Sequence, residues 1–166
     1  WKYDAAGRMV EQSSSIDRAD GSQGFATTTY SYDKSGNITR ILLPAGGEIL
    51  REYDAADRLI AETHREKASG IHNRTLFAYD KAGNLVEITD NQGRRTVIEY
   101  DLLNREVRRI EKDGSVTRSF YDGNGRLSKV VRPNQYNAQA DDGAGYQYTY
   151  DHRGQVLTVI GPDGQV

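Results

Sequence analysis

The chain has 166 residues, 36% of them apolar, with 22 basic and 24 acidic side chains, a formal charge of −2 and no cysteine. That length suffices for one ordinary domain, and the missing cysteines exclude disulfides and thiolate metal sites. Charges are dispersed without a basic block, which argues against a nucleic-acid partner, and no apolar run approaches the roughly 20 residues of a membrane-spanning helix.

Read in chain order, one pattern returns seven times. A tyrosine and an aspartate stand together at Tyr3-Asp4, Tyr32-Asp33, Tyr53-Asp54, Tyr79-Asp80, Tyr100-Asp101, Tyr121-Asp122 and Tyr150-Asp151. The tyrosines are spaced by 29, 21, 26, 21, 21 and 29 residues, so the base period is 21 with insertions of eight, five and eight. A fixed unit with variable insertions marks a stacked repeat architecture. The chain starts and stops within a repeat, so it reads as a piece of a longer array, a single one across residues 1–166.

The unit from Tyr79 is the plainest. YDKAG is followed by NLVEIT, DNQG and RRTVIEY, which is turn, strand, turn, strand. Val86, Ile88, Thr96, Val97, Ile98 and Tyr100 suit strands. No segment carries a sustained 3.6-residue period, so almost no helix is expected. The predicted fold is all-β: stacked antiparallel β-hairpins forming a curved, twisted, extended sheet of twelve to fourteen strands.

Four residues after each motif tyrosine stand Gly7, Gly36, Asp57, Gly83, Asn104, Gly125 and Gly154. These residue types tolerate a left-handed backbone, as a type I turn with a following left-handed residue requires. The aspartate of each pair then caps the turn through backbone N–H groups two residues on. A second turn follows at Gly46, Gly93, Gly114 and Gly164, and the long insertions after Tyr3, Tyr53 and Tyr121 fall in this half of the unit. The motif tyrosines are expected to be half-buried, each packed on an intervening aliphatic such as Ile38, Leu59, Leu85 or Leu127, with the hydroxyl free to reach a polar partner. The unit at Tyr100 departs from this, with Glu106 in place of the aliphatic and Arg109 after it.

No catalytic, cofactor-binding or metal residue is assigned. His64, His72 and His152 match no zinc spacing. DRADG at 17–21 and DDG at 141–143 lack the order of a calcium loop and read as turns. Seven identical aspartates argue against a catalytic carboxylate pair, which needs two different environments. The sequons at Asn37 and Asn73 read as chance occurrences. Tyr136, Tyr146 and Tyr148, in and beside the last insertion, are the candidates for stacking on a sugar ring, set against the plainer reading that they pack the insertion onto the sheet.

The series YDAAGRM, YDKSGNI, YDAADRL, YDKAGNL, YDLLNRE, YDGNGRL and YDHRGQV, with PDG at 162–164, resembles the RHS/YD-repeat family over essentially the whole chain. That family includes bacterial RHS toxins, the shell components of Tc toxins, wall-associated proteins and teneurins. The resemblance implies a non-catalytic segment of a hollow β-shell, secreted or at the cell surface. Its partners would be the rest of the parent shell and the toxin domain enclosed there. The family's self-cleaving core segment has no counterpart here. The alternative reading is a recognition module for carbohydrate or a receptor. Unpaired sheet edges would also invite self-association of the piece.

Overall fold

A computed structural model describes residues 1–17, 22–67, 69–70 and 72–166. The DRADG stretch therefore lies largely outside the described residues. The chain forms two compact units, Trp1–Phe77 with Asp90–Gln92, and Ala78–Thr89 with Gly93–Val166. Strands pair antiparallel in chain order, with a single 3-10 turn at Pro133–Gln135 as the one helical element among the described residues.

The first unit contains β1 (Lys2–Tyr3), β2 (Met9–Asp17), β3 (Gln23–Tyr32), β4 (Ile38–Leu42), β5 (Glu48–Tyr53), β6 (Leu59–Arg65) and most of β7 (His72–Tyr79). The second contains β8 (Leu85–Thr89), β9 (Arg95–Tyr100), β10 (Glu106–Ile110), β11 (Val116–Tyr121) and β12 (Leu127–Val131). It continues through the short pair β13 (Tyr136–Asn137) and β14 (Asp142–Gly143) to β15 (Tyr146–Tyr150) and β16 (Val156–Ile160). Fourteen of these strands follow one another as sheet neighbours, β12 being followed by β15, while β13 and β14 pair separately.

Both kinds of turn use the same closure. In the Tyr-Asp turns the aspartate N–H donates to the carbonyl four residues on at 2.8–3.0 Å, and the N–H three residues on returns to the aspartate carbonyl at 2.9–3.3 Å. Three of the second turns repeat it, at Leu43–Gly47, Glu111–Ser115 and Gly161–Gln165. The fourth residue of each such turn has positive φ, from 59° at Asp57 to 96° at Gly36 in the Tyr-Asp series. Where a Tyr-Asp turn rejoins the ladder, two residues oppose the tyrosine: Ser31 pairs with Arg40, but Tyr32 with Ile38. That is the bulge a left-handed fourth residue produces.

Little of either unit is solid interior. Ala61 and Thr63 are buried in the first, and Ile98, Val116 and Val131 in the second. Stability is spread over ladders and cross-strand pairs rather than concentrated in a core. Strand alternation gives each unit two unlike faces. In the first, the tyrosine face carries Tyr30, Ile41 and Ile49. The other face carries Arg40 and Arg65 on Glu48, at 2.6 and 3.0 Å. In the second, Ile98, Val130, Tyr148 and Val159 share the tyrosine face, while Glu87–Arg95 and Glu99–Arg108 pair at 3.4 and 3.2 Å on the other.

Candidate functional site

The recurring feature is the joint at each Tyr-Asp turn. Asp101 shows its inner part. Its Oδ1 accepts the N–H groups of Leu103 and Arg105 at 2.9 and 3.0 Å, and its Oδ2 accepts Arg105 Nε at 2.7 Å. Asp4, Asp54 and Asp122 hold Arg8, Arg58 and Arg126 in the same way. Asp33 and Asp80 hold Asn37 and Asn84 instead. At Asp151 the backbone bonds to Arg153 and Gln155 are present. The Arg105 guanidinium, and then its N–H, hold the Asp101 carboxyl below the ordinary aspartate range; Arg58 does the same for Asp54.

The tyrosine forms the outer part. Tyr32, Tyr53, Tyr100, Tyr121 and Tyr150 donate their hydroxyls to the carbonyls of Met9, Ile38, Leu85, Glu106 and Leu127, at 2.6–3.1 Å. Each of these carbonyls belongs to the preceding hairpin and lies two residues past the last ladder pair. Arg108 pairs with Arg118, for example, and Glu106 lies beyond. The ladder between hairpins ends there, and the hydroxyl takes up the carbonyl it leaves over. Burial pushes the Tyr100 and Tyr121 hydroxyls above their ordinary range, so each remains a donor. Tyr3 is the exception: it has no strand before it to cover its ring and is 59% exposed.

This geometry explains Glu106. Its hairpin keeps the common register, with Glu106 opposite Tyr100 and the bulge before Arg108, so facing is not shifted. The position supplies a backbone carbonyl, and any side chain can carry one. The Glu106 carboxylate pairs with Arg109 at 2.6 Å.

The residue after the left-handed position links successive joints, a role that sequence reasoning missed. Where it is arginine it stacks on the next tyrosine: Arg8 over Tyr32, Arg105 over Tyr121 and Arg126 over Tyr150, at 4.7, 4.4 and 4.6 Å from the ring centres. Where it is asparagine it bonds the next left-handed side chain: Asn37 Nδ2 to Asp57 Oδ1, and Asn84 Nδ2 to Asn104 Oδ1, both 2.7 Å. Asp57 and Asn104 are the two turns without glycine, and both follow an asparagine joint. The signal was in the sequence as a correlation between positions 20 residues apart.

The three candidate sugar-binding tyrosines are not brought together. Tyr146 and Tyr148 lie on the face of Tyr150, two and four residues before it. Arg132 covers the Tyr146 ring at 4.5 Å. Tyr136 belongs to the insertion, and its hydroxyl donates to Asp141 Oδ1 at 2.6 Å and accepts from Arg108 at 3.3 Å. Arg118, which also binds Asp141, is three residues from Tyr121 on one strand, so the insertion lies on the face opposite the tyrosines. His64 contacts Glu62 at 2.7 Å, His72 ends β7, and His152 sits in a turn. Among the described residues no cluster of metal-ligating side chains occurs. A groove in the second unit runs between the turns at Asp80 and Asp101, with Val86, Val97 and Ile98 in its lining.

The family model of the teneurin YD-shell matches residues 1–165. No curated protein matches the sequence. Among solved structures, the chain is similar to the crystal structures of TcdB2-TccC3-Cdc42 and TcdB2-TccC3. Each is 17% identical over 96% of this chain and 9% of the other, with TM-scores of 0.75 and 0.74. It is also similar to the Tc holotoxin pore of Photorhabdus luminescens carrying a TccC3 substitution, at 14% identity over 96% of this chain and 12% of the other, TM-score 0.59. These identities show a shared fold, of which this chain spans about a tenth of the length. With the joint repeated along the chain and the family match over nearly all of it, the protein belongs to the teneurin YD-shell family of RHS/YD-repeat proteins.

Proposed function

We propose that this chain is a non-catalytic wall segment of a YD-repeat shell that encapsulates a toxin domain and takes part in its delivery outside the producing cell. The observation that carries this reading is the joint itself. Each aspartate is consumed by its own turn, each buried hydroxyl by the preceding hairpin, and each following side chain by the next turn or tyrosine. A motif so committed to its neighbours has no group left for chemistry, and it does one thing well: it adds hairpins to a thin wall without a deep core. The fold shared with TcdB2-TccC3 supports the same reading.

Electron microscopy of the full parent chain tests it. A closed cavity with density for an enclosed domain is the expected result; a solid body or an open fibre refutes encapsulation. The carbohydrate-recognition reading has less support, because Tyr136 is engaged by Asp141 and lies across the sheet from Tyr146 and Tyr148.

A further inference from the structure

The insertion between β12 and β15 is built unlike the rest of the unit. Its sequence, PNQYNAQADDGAG at 133–145, contains no aliphatic side chain larger than alanine apart from its proline. It lies against the sheet through two glycines: a Cβ at Gly143 would strike the Gln135 carbonyl, and one at Gly145 the Val130 carbonyl. Beneath it Val131 is fully buried. That one side chain is most of the apolar surface it covers.

What holds it down is charge. Lys129 on β12 meets Asp142 at 2.6 Å, and Arg118 on β11 meets Asp141 at 3.0 Å. Arg108 on β10 reaches the Tyr136 hydroxyl at 3.3 Å, and Tyr136 in turn holds Asp141. Arg108 and Arg118 stand directly opposite each other in the ladder, a like-charge pair that is unfavourable unless an anion sits between them. Asp141 fills that place with a backbone at φ +49°, a conformation rarely adopted by a residue other than glycine. The ion pairs are part-exposed, with Asp141 46% accessible, so salt reaches them.

We infer that residues 133–143 form an electrostatic strap, a segment docked on the sheet by charge pairs that detaches as a unit while the hairpins beneath stay folded. Lifting it bares Arg108, Arg118 and Lys129 on three neighbouring strands, with Glu99 as the remaining carboxylate on Arg108. That row then accepts an acidic polypeptide segment in place of Asp141 and Asp142.

Amide hydrogen exchange on the whole chain tests this. Raising salt from about 0.1 M to about 1 M shortens the screening length from about 10 to about 3 Å. Exchange within 134–143 should then accelerate about tenfold while β10, β11 and β12 keep their protection. The pair Asp141→Asn with Asp142→Asn should exchange fast at low salt and lose the salt dependence. Polyglutamate at low salt should speed exchange of the strap in the parent chain. Strap protection equal to that of β11 and indifferent to salt overturns the inference, as does concerted loss of β10–β12 in the double variant. No response to polyglutamate overturns the acidic partner.

Discussion

Replacing Tyr121 by phenylalanine removes one oxygen and little else. The ring stays under Arg105, whose guanidinium carbon lies 4.4 Å from its centre. The Glu106 carbonyl loses its donor at 2.9 Å, and being two residues beyond the β10–β11 ladder it has no strand partner to replace it. A net hydrogen bond is worth about 0.5–1.5 kcal/mol. A loss of about 1 kcal/mol corresponds to roughly fivefold faster exchange of amides that open with this joint. Tyr3→Phe is the internal control, because Tyr3 is 59% exposed and makes no such bond. Its substitution should change stability by less than about 0.5 kcal/mol. Exchange read strand by strand suits a chain of two compact units better than a single melting temperature. If Tyr121→Phe loosens β10 and β11 no more than Tyr3→Phe loosens β2, the hydroxyl is not what joins the hairpins.

Gly83→Val places a β-branched residue at φ +94°. It should cost upwards of about 1–2 kcal/mol, and a denaturation midpoint equal to the parent's would refute the turn assignment. Asn84→Ala and Asn104→Gly each remove one end of a 2.7 Å bond. Their effects should be non-additive in a double-mutant cycle by about 0.5 kcal/mol or more, and additivity would show the two turns to be independent. For pH, Asp54 and Asp101 have folded carboxyl pKa values held below the unfolded value. The unfolded chain therefore binds more protons in acid. Their contribution is complete above the ordinary aspartate pKa of about 3.9 and is lost as pH falls through the lower folded values. Asp101→Asn should flatten the acid limb of an unfolding titration, and an unchanged limb would refute the linkage.

The hairpins, their turns and the left-handed column were legible in the sequence because their causes are local. A turn that needs positive φ must take glycine, asparagine or aspartate, and an aspartate at its start finds N–H groups within four residues. The half-buried place of the tyrosine followed from alternation along one strand. Its acceptor did not, because the carbonyl of Glu106 or Leu127 carries no side-chain signature. Only the point at which the ladder between hairpins ends makes it available. The same reason hid the meaning of Asp57 and Asn104. Each looked like a tolerated substitute for glycine until the stacking of hairpins set Asn37 and Asn84 against them. The insertion shows the limit most clearly. Tyr136, Tyr146 and Tyr148 are close in sequence, yet pairing in three dimensions puts Tyr136 and Asp141 on the charged face and the other two among the tyrosines. Local backbone demands were written residue by residue, whereas which face a side chain occupies and which neighbour completes it depend on strands more than a turn away.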